Sequence, residues 1–226
     1  MGCVPRGTFF FLLWQQFQQI LKQRNALLQD IRGEADLMKS WDAQFSEIGL
    51  KITTLRADYV QALIPLVNEL LQDFMPLEGL TLDFYSGWNT EFPLEVILMR
   101  HSQRDKALGY TQYGPQRADL LIKLHGHPAH EVLSRGEQKL LACALQLAQG
   151  LLLKQRMNKS CIYLLDDLFA ELDSQRRDYL VESLKKLQAQ VFVTIIDEKP
   201  LEQWAKKVDA YWFHVEQGQV SAKFLA

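Results

Sequence analysis

Cysteine is scarce: Cys3, Cys143 and Cys161 are the whole complement. They are odd in number and too far apart for a C-x-x-C site, which argues against a disulfide framework or a cysteine-built zinc site. Cys143 in an apolar helix and Cys161 at the head of an apolar strand read as buried small hydrophobes in a reducing compartment. A basic excess is missing too, with 25 Lys and Arg against 27 Asp and Glu and a net charge of −2. Bulk electrostatics therefore do not advertise nucleic-acid binding, although a local patch survives a neutral total. Long apolar runs are absent. Phe9 to Trp14 is too short to span a membrane and has no small-residue cleavage site after it. Met1-Gly2 leads to Arg6 where myristoylation needs Ser or Thr. A soluble cytoplasmic protein is expected, without repeats or low-complexity tracts. What is present is ordinary globular material: 226 residues, 48% hydrophobic and 23% charged, enough for one large domain or two modest ones with a real core.

The chain divides into two regions. To about Pro76 it reads as helical: Trp14, Phe17, Leu21 and Leu28 fall at helical spacing, then Trp41, Phe45, Ile48, Ile52, Leu55, Tyr59, Leu63, Leu66 and Leu70 repeat in steps of mostly four and three. Gly49 weakens such a helix and Pro65 is expected to kink or interrupt it near Ile64, which favours a compact helical lobe over a long free arm. Beyond Pro76, strands and helices alternate. Leu80 to Tyr85 has strand alternation, a helix is expected from about Pro93 to Leu108 with Gly109 as its stop, and Gly114-Pro115 turns into a strand carrying Leu120, Ile122 and Leu124. The stretch HGHPAH reads as a turn. A helix from Arg135 to about Leu153 follows, then two short apolar runs, CIYLL and VFVTII, which suit strands buried on both faces. A helix through SQRRDYLVESLKKLQ separates them; a helix near Leu201 to Lys207 and a hairpin through YWFHVEQGQV close the chain. That alternation predicts an α/β layer with a parallel sheet.

Two stretches carry chemistry. In LSRGEQKLL, Ser134 and Glu137 make a capping box, which leaves Arg135, Gly136 and Gln138 unexplained. A helix start with free N–H groups and nearby cations also suits phosphate. In CIYLLDDLFAELD, Asp166 and Asp167 follow an apolar strand directly, at the carboxyl end where open α/β sheets bind ligands. An acid there can hold Mg²⁺, and a second one can orient or deprotonate an attacking water. The bland alternative, that the pair only caps the next helix, loses weight once AELD downstream and the helix start upstream are taken together.

Assembled, these residues closely resemble the C-terminal part of the RecF family, bacterial recombination ATPases with the ABC-type head shared by SMC proteins. LSRGEQKLLACALQLAQG resembles the family signature, CIYLLDDLFAELD its Walker B strand and D-loop, and YGPQRADL its Gly-Pro-His-Arg motif with Gln116 at the His position. The resemblance covers nearly the whole chain. It implies an α/β fold, a partial ABC/SMC-type ATPase head lobe with a helical lobe: residues 1–78, or as far as about 108, as the helical lobe, and 79–226 as the C-terminal part of the ATPase lobe. It also implies roles. Ser134 would donate to the γ-phosphate of ATP held by the other subunit of a dimer, Gly136 would permit close approach, and Arg135, Gln138 and Lys139 would add charge or donors. The cofactor-binding set is then Ser134, Arg135, Gly136, Glu137, Gln138 and Asp173, with Asp173 the D-loop acid coupling the two sites. Asp166 would serve Mg²⁺ and, with Asp167, form the catalytic pair. The implied work is recombinational gap repair and SOS induction on single-stranded or gapped DNA, with RecR and a second RecF-type subunit as partners.

Departures limit the expectation. The sequence contains no G-x-x-x-x-G-K run followed by Ser or Thr, the loop that cradles phosphates. In the family it lies in an N-terminal half with the first strands of the lobe. The chain is therefore expected to be a fragment, from a truncated gene, a frameshift or a misplaced start, with an apolar sheet edge and face exposed and no ATPase activity alone. VFVTIID carries no switch His. Two rival readings remain: a catalytically inactive module that dimerises with an intact RecF-type ATPase, and a transporter nucleotide-binding domain, which the Asp-Asp pair and the missing His count against. His125, His127 and His130 read as a polar loop, Trp14, Trp41 and Tyr59 as packing, and Arg104, Lys106, Arg117, Arg176 and Arg177 as a solvated or DNA-facing basic face.

Overall fold

A computed structural model describes residues 7–30, 35–166, 172–187, 189–195 and 211–223. The helix expected near 201–207 lies outside the described residues.

Two helices open the fold, α1 (Gly7–Gln29) and α2 (Ala35–Phe74). They run antiparallel, with Phe17 against Phe45 and Arg24 against Asp42. The heptad-like stripe of α2 supplies the buried residues Phe45, Ile48, Ile52, Leu63, Val67, Leu70 and Leu71. At ~1.5 Å per residue its 40 residues span about 60 Å. The helix is continuous through Pro65, so of the expected kink or interruption the interruption does not occur. An internal proline costs about 3 kcal/mol, but burying Leu63, Val67, Leu70 and Leu71 gains roughly 1.5–3 kcal/mol each, so packing outweighs the lost bond. The helix is no free arm either, since it packs on α1 and on elements further along the chain. Gly49 explains one close approach: a Cβ there would come within 3.0 Å of Leu94 Cδ2 and 3.2 Å of Pro115 Cγ.

The second region begins with β1 (Leu80–Tyr85), then α3 (Leu94–Leu108), bounded by Pro93 and by Gly109 in the left-handed conformation (φ 73°). A 3-10 turn at Pro115–Arg117 leads into β2 (Asp119–Leu124), which pairs antiparallel with β1, Leu82 opposite Ile122. The HGHPAH stretch is more than a turn: it adds β3 (His127–Pro128) and a single helical turn, α4 (Ala129–Val132). Next come α5 (Arg135–Met157), β4 (Tyr163–Leu165), α6 (Ser174–Lys186) and β5 (Val191–Val193). β4 and β5 are parallel with Leu164 opposite Phe192, so β4–α6–β5 is the crossover unit that parallel pairing requires. The hairpin is β6 (Trp212–Glu216) and β7 (Gln219–Lys223).

Two apolar clusters hold the molecule. One joins α1, the first half of α2, α3 and Trp88; the other joins the second half of α2 with β1, β2, α5, β4 and α6. Trp14 and Trp41 pack on the first and Tyr59 on the second. Helix α2 serves both. The apolar runs CIYLL and VFVTII are not buried on both faces: Ile162 (62%), Leu164 (75%) and Phe192 (52%) lie open, as does much of the β6–β7 hairpin. A continuous apolar run reports a preference for burial, and burial needs a neighbour; among the described residues β4 and β5 form a sheet of two strands with Ile162, Leu164 and Phe192 open. An apolar face of this kind is what the sequence led one to expect. Cys143 is buried, and burial pushes its thiol up to about 12, while Cys161 is only half-buried. No helix among the described residues is long and apolar enough to cross a membrane.

Candidate functional site

The N-terminus of α5 is built as its sequence requires. Ser134 is the N-cap (φ −61°, ψ 161°), and the capping box is complete. Its backbone N–H and its hydroxyl both donate to Glu137 Oε2, at 2.9 and 2.7 Å, and the Glu137 N–H approaches Ser134 Oγ at 3.4 Å. The Gln138 N–H goes to the Ser134 carbonyl. Arg135 and Gly136 thus contribute the first-turn N–H groups that have no carbonyl to reach within the helix. Gln138 turns away from this end: its side-chain amide donates to the carbonyls of His130 (3.0 Å) and Leu133 (2.9 Å), tying α4 to α5. Both amide hydrogens are thereby committed, and they fix the backbone that leads into the cap.

Glu137 is reached from a second helix. Asp173 caps α6, accepting from the Arg176 N–H at 2.9 Å. The Arg176 side chain then lies between two carboxylates, Nε 3.5 Å from Asp173 Oδ2 and Nη2 3.6 Å from Glu137 Oε1. Hydrogen bonds from the Ser134 hydroxyl and N–H, with the Arg176 charge added, hold the Glu137 carboxyl below the usual range. The group is therefore ionised in the folded protein at a pH where a free Glu begins to protonate. Its stabilisation is complete above about 4.5 and is lost as pH falls through the lowered value. A thermal-melt titration of the chain against Glu137→Gln should show the native protein more stable near neutrality and the two converging in acid. A difference that persists unchanged in acid would refute it.

Asp166 belongs to a different group. It sits at the carboxyl end of β4, where Thr194, just past β5, donates its hydroxyl to Asp166 Oδ1 at 2.5 Å; the Thr194 N–H donates to the Leu165 carbonyl at 3.0 Å. One carboxylate oxygen accepts from a neutral hydroxyl, a contact that brings no charge of its own. A single carboxylate with water and phosphate oxygens is a donor set that Mg²⁺ accepts, so the residue fits the ion without completing a site. No group of three or more potential ligands occurs among the described residues. Asp167 lies outside the described residues. Sequence reasoning missed Thr194, whose signal was the polar residue ending the VFV strand, and placed Arg176 on an open basic face instead of between two acids. Arg104, Lys106 and Arg117 are exposed; Arg177 is half-buried.

A helix start and an acid-ended parallel strand, set beside a helical lobe, define a piece of an ABC/SMC-type ATPase head. The solved structure of the recombination mediator protein RecF-ATP in the RecFOR pathway superposes with a TM-score of 0.75 at 26% identity, covering 96% of this chain and 59% of that one. The chain belongs to the RecF/RecN/SMC N-terminal domain family, whose profile matches residues 16–220. It is similar to the DNA replication and repair protein RecF of Pseudomonas fluorescens strain SBW25 and to that of Stutzerimonas stutzeri strain A1501, each 43% identical over 213 residues. Those 213 residues are 94% of this chain and 58% of each relative, so the chain spans rather more than half the length of the relatives it matches.

Proposed function

We propose that this chain supplies the signature, Walker B and D-loop half of a RecF-type ATP clamp acting in recombinational gap repair. The α5 N-terminus meets the γ-phosphate of an ATP held by the P-loop of another subunit; Ser134 and the N–H groups of Arg135 and Gly136 are the donors. Asp166 serves Mg²⁺, which supplies charge neutralisation at the phosphates, and Asp167 stands at the position of the catalytic carboxylate. Single-stranded or gapped DNA, RecR and a RecF-type subunit are the partners of the complete assembly. The observation that carries the reading is the capped start of α5, which sets the Ser134 hydroxyl, bound in this state to Glu137, beside the first-turn N–H groups in a chain 43% identical to RecF. The sequence has no P-loop run, and that favours a second form of the reading, in which the chain dimerises with an intact ATPase and does not itself turn over nucleotide.

Mixing the chain with intact Pseudomonas fluorescens RecF tests both. Sedimentation should show association with MgATP or a slowly hydrolysed analogue and none with MgADP, and Ser134→Arg, which fills the space at the helix start, should weaken it at least about tenfold, the equivalent of ~1.4 kcal/mol. Association indifferent to nucleotide, or to Ser134→Arg, would overturn the proposal.

A further inference from the structure

Among the described residues, Arg176 joins the start of α5 to the cap of α6, two places to which the proposed function gives separate jobs. From the α5 cap, the Ser134 hydroxyl is bound to Glu137; from Glu137 the path crosses to Arg176 on α6; from Arg176 it ends on Asp173, the cap of that helix. The four residues form one continuous line from the signature start to the D-loop acid.

Stability does not account for this. Arg176, Glu137 and Asp173 keep about 34, 27 and 58% of their side-chain surface, and ion pairs in such surroundings stabilise little. Electrostatics account for it better. The Ser134 hydroxyl has one hydrogen and it is given to Glu137. A phosphate arriving at the helix start meets that hydroxyl already committed, and beside it a carboxylate of its own sign. An arginine on the far oxygen of Glu137 answers both difficulties: it lowers the negative potential at the cap, and it offers Glu137 another partner when the hydroxyl turns to the phosphate. Its other nitrogen keeps Asp173 in register with that change.

We propose that Arg176 is a positioning residue of the clamp, one that neutralises Glu137 so that the α5 N-terminus accepts phosphate and that links this event to the D-loop acid Asp173. The inference rests on the clamp reading above and deepens it. Glu137, in this light, acts on the phosphate through Ser134 and not by touching it.

Two measurements separate failure of the link from failure of the clamp. The first needs no nucleotide. In hydrogen exchange on the chain alone, Arg176→Ala should speed exchange in segments 134–138 and 172–177 together while the melting temperature stays within about 2 °C, the size expected for an exposed pair. Unchanged exchange in either segment overturns the link, whatever the nucleotide assay shows. The second is ATP-dependent association with intact RecF. Arg176→Ala should weaken it about tenfold, within the range of coupled neighbours. Arg176→Lys should recover part of the loss, because an ammonium reaches one carboxylate at a time. Adding Glu137→Gln to Arg176→Ala should restore association to within about threefold, since the charge needing neutralisation is gone. A purely structural role would make the two changes additive, and additivity overturns the proposal. If the native chain shows no ATP-dependent association, the clamp reading fails and the coupling falls with it.

Discussion

Replacing Arg24 by Met should destabilise the chain by about 3–5 kcal/mol, the cost of breaking a buried ion pair by removing one partner. At a few degrees per kcal/mol, the melting temperature should fall by roughly 10 °C or more. Arg24 has no exposed surface, and its guanidinium meets Asp42 at 2.7 Å, Asp105 at 3.0 Å and the Thr111 hydroxyl at 2.6 Å. Asp105 is equally buried, and its second oxygen accepts from the backbone N–H and side-chain amide of Gln112. Thr111 donates in turn to Asn25. One side chain thus connects α1, α2, α3 and the loop after α3. Burial is the largest influence on Asp42 and raises its carboxyl above the ordinary value, with Arg24 opposing the rise. An acid raised on folding favours the folded state most below its unfolded value and loses that benefit as pH rises through the folded value. The Arg24→Met penalty should therefore be largest near neutrality and shrink in acid, as Asp42 takes up a proton more readily without its cation. Urea unfolding at pH 7 and in mild acid measures both; a loss under 1 kcal/mol at neutral pH would show the network to be dispensable.

Incubated with MgATP, the chain by itself should release phosphate no faster than buffer does. ATP turnover in this class depends on N–H groups and a lysine arranged around the β- and γ-phosphates, and the sequence has no run that can form that cradle. Losing one preorganised donor to a developing charge already costs about 10²–10³-fold, and here a whole set is lacking. In the proposed clamp Asp166, held by Thr194, would steady a cation beside phosphates that another subunit holds, and that is a contribution to a site, not a site. Asp166→Ala should leave the background rate untouched. A rate above buffer that disappears in Asp166→Ala would show that the chain binds and hydrolyses ATP unaided.

Much of the framework was legible because its signals are local. Alternation marked Leu80 to Tyr85, Pro93 and Gly109 bracketed α3, and Ser134 with Glu137 announced the start of α5; the structure has each of them there. Signals that depend on distant residues were not legible. Nothing near Arg24 in the chain announces Asp105, 81 positions away. Pro65 reads as a break because sequence shows the lost hydrogen bond and not the leucines that hold the turn from both sides. Leu164 and Phe192 read as buried because a run of apolar residues reports preference, while burial needs a neighbour. At the site, the acids and the cap were visible as residue types in a pattern. The Thr194 bond and the Arg176 bridge needed the crossover from β4 to β5, since both join segments that only the fold brings into contact.

Helix α2, with one half in each apolar cluster, makes the two clusters a single cooperative unit. Neither half can fray without stripping the wall from a cluster, so calorimetry should show the helical lobe and the sheet-bearing part in one melting event instead of two. A continuous helix about 60 Å long, packed along both halves, also offers a lever arm: a tilt imposed where α5 packs on it would be carried toward Arg24 and α3.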